Sequence, residues 1–272
     1  MSVTTDTPTA APARGMNALG DLSAHLLRVL EKNGADMSQL GVPPQPEPED
    51  GLWEDVAVPQ ARARRNMWRN SIIDAAHDDY LAFRFDHLDD VQKPRMLQRW
   101  LDSLIEAKKQ DARPGVLNMI IPGPIGSGKT AAAISLGNEA SERGLWTLFV
   151  KHATYLTWRQ PDSAPRNLKT WQVRQQFVEC DLLILDELCG EMDMTATRFA
   201  RKETVDLIDS RLAAGRPTAY TTNLRSRRQP GSQAMGVVDI LGERLLSRLE
   251  SSAHLAKVVG PDRRKPAKPL DW

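Results

Sequence analysis

A short glycine-rich segment in the middle of the chain constrains its fold and chemistry more than any other feature. The segment reads G-x-x-x-x-G-K-T and consists of Gly123, Pro124, Ile125, Gly126, Ser127, Gly128, Lys129 and Thr130. Its glycines allow turns that a Cβ would obstruct, so that successive backbone N–H groups can surround a polyphosphate. The lysine places a positive charge near the β- and γ-phosphates, and the threonine offers a hydroxyl to Mg²⁺. The segment therefore predicts a nucleotide site in which all eight residues take part and Thr130 binds the metal.

The sequence around this loop has the pattern that a phosphate-binding loop requires. Residues 116–121 form a short apolar run rich in β-branched residues, which predicts a strand, and residues 130–136 favour a helix. The dipole of that helix would face the phosphates. Four later runs alternate with helical patterns, at residues 146–150, 181–187, 217–223 and 254–259. This alternation predicts an α/β fold with a parallel sheet covered on both faces.

Two adjacent carboxylates at the end of the third predicted strand supply the second half of a hydrolytic site. Asp186 follows four apolar residues, at the edge where a doubly wound sheet presents its ligands, and it can hold Mg²⁺ together with Thr130. Glu187 follows directly and is the candidate base for the attacking water. A further strand lies between the helix after the loop and the Asp186 strand. This order is typical of NTPases that hydrolyse the nucleotide with water. It argues against small-molecule kinases, which need an acceptor pocket as well.

The fourth predicted strand ends at Thr222 and Asn223. If this strand lies between the first and the third, the side chain of Asn223 reaches the region of the γ-phosphate. Without the other motifs, an asparagine after a strand would indicate only a turn.

Four stretches together resemble the AAA+ ATPases of the DnaC/DnaI helicase-loader and IstB transposition-helper group. They are residues 123–130, 182–187, 221–223 and 242–249, and the last is similar to the R-x-x-x-R helix that distinguishes this group from other P-loop proteins. The resemblance covers residues 110 to 264, of which 258–264 resemble the final strand of the group and its G-x-x-x-R. It implies a P-loop AAA+ domain with a parallel five-stranded sheet and no helical lid. It also implies ATP as the nucleotide, with Mg²⁺.

The resemblance assigns roles to four further side chains. Asn223 would sense the γ-phosphate, and Arg248 would be an arginine finger that enters the site of a neighbouring subunit, with Arg244 beside it. Arg264 would be a second sensor of the nucleotide. An arginine supplied in trans stabilises charge in the transition state and makes hydrolysis depend on a homo-oligomer. Without the resemblance, Arg244 and Arg248 would be interpreted as surface arginines one helical turn apart.

Three regions are expected along the 272 residues. Residues 1–50 comprise a disordered start, a short helix that either binds a partner or packs on its own domain, and a linker rich in proline and acidic residues. Residues 51–110 form a helical region, with one helix over about 58–84 and a second that has Pro94 in its first turn. Residues 111–272 form the ATPase domain with a short basic tail.

Binding to DNA would have to use local patches, because the formal net charge is only +1. In the resembling group, single-stranded DNA follows basic residues between the second and third strands, here Lys151, Arg159, Arg166, Lys169 and Arg174. A second candidate is the basic start of the first long helix, in which Arg62, Arg64, Arg65 and Arg69 surround Trp68. In both cases an ordinary solvated helix surface explains each residue about as well or better.

These features favour an ATP-dependent loader of a hexameric replicative helicase onto single-stranded DNA. An IstB-like helper of a transposase, acting on duplex DNA, would keep the fold and change the partner. An adaptor that binds nucleotide without hydrolysis is the alternative from another class. The two cysteines, Cys180 and Cys189, are too few for a four-cysteine zinc site. No apolar run is long enough to span a membrane and the start does not resemble a signal peptide, so a cytoplasmic location is expected.

Overall fold

The computed structural model describes residues 54–165, 168–190, 197–231 and 234–264. The predicted partner helix and acidic linker at residues 1–50, Arg166 and the basic tail after Arg264 lie outside these ranges. The strands are β1 (Asn118–Pro122), β2 (Thr147–Lys151), β3 (Leu182–Asp186), β4 (Thr218–Thr222) and β5 (Ala253–Leu255). The helices are α1 (Glu54–Asp74), α2 (Pro94–Lys109), α3 (Lys129–Glu142), α4 (His152–Trp158), α5 (Thr170–Glu179), α6 (Arg198–Ala213), α7 (Val237–Leu241) and α8 (Glu243–Ser251).

The five strands form one sheet in the order β2-β3-β4-β1-β5, and every neighbouring pair is parallel. The prediction of a parallel five-stranded sheet is therefore confirmed. The fourth strand lies between the first and the third, which is the condition that was set for Asn223. Because all strands run in one direction, the residues that follow β1, β3 and β4 meet at the same edge of the sheet. Among the described residues, no helix follows β5.

Each face of the sheet carries its own hydrophobic core, since successive side chains on a strand point to opposite faces. On one face, Met119 and Ile121 of β1 pack with Ile184 of β3 against α1, α2 and α3. On the other face, Leu183 and Leu185 of β3 pack against α5, α6, α7 and α8. Asp186 follows the alternation of Ile184, so its carboxylate lies on the face covered by α3, the helix that begins at the phosphate-binding loop.

Helices α1 and α2 belong to the first of these cores. Trp68 of α1 is buried, and its Nε1 donates to Asn138 Oδ1 of α3 at 2.8 Å. Asn138 Nδ2 in turn donates to the carbonyl oxygens of Tyr80 and Phe83, at 2.9 and 2.8 Å. Trp68 is thus a packing residue, and the alternative in which it stacks on a nucleic-acid base is wrong.

The expected helix over residues 58–84 is wrong in its extent, because α1 ends at Asp74. Ala76 adopts φ +56°, a left-handed conformation that ends a helix. The chain then proceeds in short 3₁₀ turns at Asp78–Tyr80, Phe85–His87 and Asp90–Gln92. Tertiary contacts such as those of Asn138 hold these turns. By contrast, α2 begins at Pro94 as expected, with the proline at its first helical position.

The last part of the chain also differs in detail from the sequence prediction. Instead of one helix over 241–249 there are two short helices, separated at Gly242, which adopts φ +89°. Strand β5 is shorter than the predicted run. Its hydrogen bonding to β1 nevertheless continues, because Ala256 N donates to Ile120 O and Val258 N donates to Pro122 O, each at 2.8 Å. These bonds place residues 258–264 beside the phosphate-binding loop.

Candidate nucleotide-binding site

The phosphate-binding loop connects β1 to α3 with the backbone that its glycines allow. Gly126 and Gly128 adopt φ +73° and +92°, where a side chain would be strained. Lys129 is buried, and its Nζ donates to the carbonyl oxygen of Pro124 at 2.7 Å. Burial lowers the pKa of this amine, and the charges of Asp186 and Glu187 partly oppose the change. The lysine is therefore held inside the loop next to both carboxylates, as a phosphate ligand requires.

The other members of the loop differ in exposure. Ser127 is fully buried and donates its hydroxyl to Pro124 O at 2.8 Å, whereas the side chain of Ile125 is exposed. A Cβ on Gly123 would lie only 2.5 Å from Val258 O, so this glycine is needed where the chain after β5 runs past the loop.

Two residues to which sequence reasoning gave no role, Gln92 and Arg263, pack on the outside of the loop. Gln92 Nε2 donates to Gly128 O at 2.9 Å, and Arg263 N donates to Gly126 O, also at 2.9 Å. Arg263 and Asp89 form an ion pair at 2.5 Å, which links the two segments. These contacts hold the carbonyl groups of Gly126 and Gly128 in place.

Thr130 and Asp186 come together at the edge of the sheet. The hydroxyl Oγ1 of Thr130 lies 3.1 and 3.2 Å from the two carboxylate oxygens of Asp186. Burial raises the pKa of Asp186, while hydrogen bonds from Thr221 and Thr130 and the charges of Lys151 and Lys129 oppose the rise. A buried carboxylate next to a hydroxyl is the hard oxygen donor set that Mg²⁺ prefers, and the cation would favour the ionised form. The residues present therefore fit Mg²⁺, which would polarise the phosphate oxygens.

Mg²⁺ sites of this kind obtain few ligands from the protein, because phosphates and water supply the rest. The described residues contain no group of three or more His, Cys, Asp or Glu side chains that could hold a metal ion by themselves.

Thr221 of β4 connects Asp186 to Glu187, and sequence reasoning missed it. Its hydroxyl donates to Asp186 Oδ1 at 2.5 Å and accepts the backbone N–H of Glu187 at 2.9 Å. A signal was present, since β4 reads Thr-Ala-Tyr-Thr-Thr in a position where a central parallel strand is normally apolar. The hydroxyl of the last residue, Thr222, donates instead to Leu188 O at 3.0 Å.

Glu187 lies just outside β3 in a turn with an unusual backbone. Glu187 and Cys189 adopt φ +56° and +60°, and Gly190 N closes the turn on Glu187 O at 2.8 Å. A non-glycine residue in this left-handed region costs about 1–3 kcal/mol and persists only where its surroundings hold it. Such strain is concentrated at functional sites, and here it occurs at the residue directly after the strand that carries Asp186.

Asn223 is exposed at the end of β4. It lines a cavity of about 690 Å³ together with Gly123 and Pro124, the first residues of the phosphate-binding loop. The sheet order thus brings Asn223 to the same edge as the loop, as a residue that reads the γ-phosphate requires.

The three predicted arginines are placed differently. Arg248 of α8 forms an ion pair with Asp209 of α6, and Arg244 is exposed one turn earlier on α8. Arg264 is exposed, and its positive charge contributes to the lowered pKa of Lys129, so it lies near the phosphate-binding loop of the same chain.

The basic residues expected between the second and third strands do not form one groove. Lys151 ends β2 directly opposite Asp186 in the register of the sheet, so it belongs to the nucleotide site. Arg159 pairs with Glu203 at 2.7 Å with both side chains mostly buried, and Arg174 donates to Ser210 Oγ at 2.7 Å. Of the described members of this set, Lys169 is exposed.

No described helix is long and apolar enough to cross a membrane.

Comparisons with known proteins agree with this geometry. Residues 54–269 match the family described as IstB-like ATP binding protein. A protein of Mycobacterium tuberculosis (strain ATCC 25618 / H37Rv), named as an ATP-binding protein in an insertion sequence, is 27% identical over 186 residues. This alignment covers 68% of the present chain and 69% of that protein.

Solved structures with a related fold are more distant. A DnaI structure overlaps 68% of this chain and 93% of its own, with TM-score 0.49 and 19% identity. A DnaC helicase loader overlaps 66% of this chain and 98% of its own, with TM-score 0.49 and 18% identity. AMPPCP-bound DnaA from Aquifex aeolicus has TM-score 0.49 and 15% identity, and this chain spans only half its length. At these values the structural matches carry no argument about function. The match to the family extends over most of the chain, and the protein belongs to the IstB-like ATP-binding proteins.

Proposed function

We propose that this protein is a Mg²⁺-dependent ATPase that hydrolyses ATP between two subunits and thereby controls a transposase on duplex DNA. The observation that carries the hydrolytic part is the hydrogen-bonded series from Thr130 through Asp186 and Thr221 to Glu187. It joins the metal-binding hydroxyl to the turn that holds the candidate base. A protein that used nucleotide only as a structural ligand would have no need for a strained glutamate at this position.

In the proposed reaction, the loop and Lys129 bind the phosphates while Thr130 and Asp186 orient the metal. Glu187 polarises a water for attack on the γ-phosphate, and Asn223 contacts that phosphate or the water. Arg248 of an adjacent subunit completes the charge compensation. This arrangement supports a homo-oligomer whose turnover depends on assembly.

The choice of a transposase as partner rests on the relative encoded in an insertion sequence and on the family to which the chain belongs. Loading of a hexameric replicative helicase onto single-stranded DNA is the second candidate. The R-x-x-x-R pattern of α8 supports both equally, because the two kinds of protein share it.

One surface of the described chain suits a DNA backbone. Trp171 at the start of α5 is 58% exposed and Phe199 at the start of α6 is 38% exposed. Arg159 holds these two helix starts together by binding both Thr170 O and Glu203. Four exposed cations belong to the same two helix starts: Lys169, Arg198, Arg201 and Lys202. Such a surface would bind phosphates without sequence preference and weaken with salt.

A binding and capture experiment tests the proposal. Glu187→Gln protein with ATP and Mg²⁺ should accumulate in the ATP-bound assembly and bind duplex DNA more tightly than single strands. It should also retain a transposase from an extract of its host. Lys129→Ala protein, which should bind no ATP, is the control. Retention of a hexameric helicase together with a preference for single strands would favour the loader, and unchanged turnover in Glu187→Gln would contradict the hydrolytic mechanism.

A further inference from the structure

A fully buried histidine lies next to the turn that carries Glu187, and none of the roles proposed above uses it. His152 is the first residue of α4, directly after β2, and is 1% exposed. Its Nδ1 accepts the backbone N–H of Cys189 at 3.2 Å, and its Nε2 lies 2.8 Å from Thr204 Oγ1 of α6. The ring therefore connects the Glu187 turn to helix α6.

The direction of these hydrogen bonds is determined by their partners. The hydroxyl of Thr204 donates to Ala200 O at 2.7 Å, so it can only accept from His152. The imidazole thus carries its proton on Nε2 and offers the Nδ1 lone pair to Cys189. Burial lowers the pKa of His152 to about 4, so the ring is neutral and this lone pair is available near neutral pH. A protonated ring would present two N–H groups and lose the contact with Cys189.

The Glu187 turn needs support on both sides because two of its four residues have left-handed backbones. On the β4 side, Thr221 accepts the N–H of Glu187, and Thr221 O accepts the N–H of Leu188 at 2.8 Å. On the β2 side, the N–H of Cys189 donates to His152 Nδ1. If that bond is lost, the β4 contacts alone hold the turn, and its remaining residues can relax.

We propose that His152 is a positioning residue for hydrolysis, which acts through Cys189 to hold the backbone of the turn so that Glu187 faces the γ-phosphate. This inference deepens the proposed ATPase function and rests on it. His152 itself does not touch the nucleotide, because it is enclosed between β2, the turn and α6. Its contribution should therefore appear in kcat and leave nucleotide affinity unchanged.

Two substitutions separate the two hydrogen bonds of the ring. His152→Asn places an amide oxygen near the position of Nδ1, so it can accept from Cys189 while it loses Thr204. His152→Gln places an amide nitrogen near the position of Nε2, so it can donate to Thr204 while it loses Cys189. Both variants lose one buried hydrogen bond and some ring packing, which makes them matched controls for each other.

The measurement combines steady-state ATPase, the Kd of a fluorescent ATP analogue and thermal melting on the full chain. We expect His152→Asn to keep kcat within about threefold of wild type, and His152→Gln to lose about tenfold to hundredfold with an unchanged Kd. Equal kcat values in the two variants, or kcat values that follow the melting temperatures, would overturn the proposal. If His152→Asn does not fold, Thr204→Val replaces it, because it also loses the Thr204 bond, keeps the Cys189 bond and should keep kcat. If His152→Gln does not fold, His152→Leu replaces it, because leucine has no acceptor for the N–H of Cys189, and kcat should fall relative to Thr204→Val.

The wild-type protein in the same assay distinguishes this inference from the function on which it rests. Wild type that binds the analogue but shows no turnover, even with DNA and at assembling concentrations, would contradict the proposed ATPase and the role of His152 with it. Wild type that turns over while His152→Gln does so equally would contradict only the role of His152.

Discussion

Arg248 on α8 forms an ion pair with Asp209 on α6 of the same subunit. The side chains are 41% and 34% exposed, and an exposed pair of this kind contributes about 1 kcal/mol or less. An arginine that has to reach a neighbouring nucleotide would therefore leave Asp209 at little cost. If Arg248 is the arginine finger that we propose, this pair would hold it within its own subunit until a neighbour presents the more negative triphosphate.

The role of Arg248 is tested by removing each member of this pair. Arg248→Ala should lower kcat by about 10³-fold with little change in ATP affinity, as for other arginine fingers. Asp209→Asn should leave kcat at saturation unchanged and reach it at a lower protein concentration, because Arg248 is released. Turnover measured against protein concentration checks both, with Arg143→Ala, which removes another exposed arginine from an ion pair, as the control. In a mixture of Arg248→Ala and Lys129→Ala, recovered activity is expected, and its absence would count against action in trans.

The phosphate-binding loop is tested by Lys129→Ala. The substitution removes the buried positive charge that faces Asp186 and Glu187, so ATP binding should fall below detection in isothermal titration. Lys169→Ala, which removes an exposed lysine, should bind ATP like wild type. Retained affinity in Lys129→Ala would refute the assignment of the loop.

Thr221 and its neighbour Thr222 form a natural pair of variants. Thr221→Val removes the hydroxyl that joins Asp186 to the backbone of Glu187, and we expect kcat to fall about tenfold. Thr222→Val removes a buried hydroxyl that binds Leu188 O. Each variant loses a buried hydrogen bond, so both should lower the free energy of unfolding by about 1–3 kcal/mol. ATPase assays and urea unfolding compare the two. If both variants lose activity in proportion to stability, Thr221 has only a structural role.

The backbone of Glu187 predicts an inverted order of stabilities. At an ordinary position alanine is more stabilising than glycine, because glycine has more freedom in the unfolded chain. At φ +56° the Cβ is unfavourable by about 1–2 kcal/mol, so Glu187→Gly should be at least as stable as Glu187→Ala. Urea midpoints measure the order, and both variants should lack turnover. An alanine variant that is clearly the more stable would show that the turn adopts another backbone in solution.

The buried His152 predicts a pH dependence of stability. Its pKa is about 4 in the folded protein and 6.5 as an ordinary value, because burial disfavours the charged ring. Between these values the unfolded chain binds a proton that the folded chain does not, so the free energy of unfolding falls as the pH falls. The loss should reach about 3 kcal/mol near pH 4. Urea unfolding of wild type and His152→Asn from pH 7 to pH 4.5 isolates the contribution of His152 to the free energy of unfolding, since the variant should lack this contribution. Parallel curves would contradict the prediction.

The strands and the phosphate-binding loop were predictable because their signals are local. An apolar run, a glycine pattern and Pro94 at a helix start each act over a few residues. The segment between α1 and α2 was not predictable in this way. Its turns are held by side chains from α3 and by the loop, such as Asn138 at Phe83 O and Gln92 at Gly128 O, which lie far away in sequence.

The same distinction holds for the candidate site. Asp186 and Glu187 were found because they follow an apolar strand directly. Thr221 and His152 act on them from β4 and from the residue after β2, and their relation to β3 depends on the order and register of the strands. Lys151 was expected in a DNA groove, and the register instead sets it opposite Asp186. Residues that support a site from neighbouring strands become visible only when the sheet is assembled.

Asn138 connects helix α3 to helix α1. The helix begins at Lys129, beneath the phosphates, and nine residues later Asn138 binds Trp68 of α1. Gly137 leaves room for that ring, since a Cβ there would lie 2.0 Å from it. Helix α3 thus has the phosphate-binding loop at one end, and α1 is attached along its side. A small rotation of α3 on loss of the γ-phosphate would therefore move α1 as well.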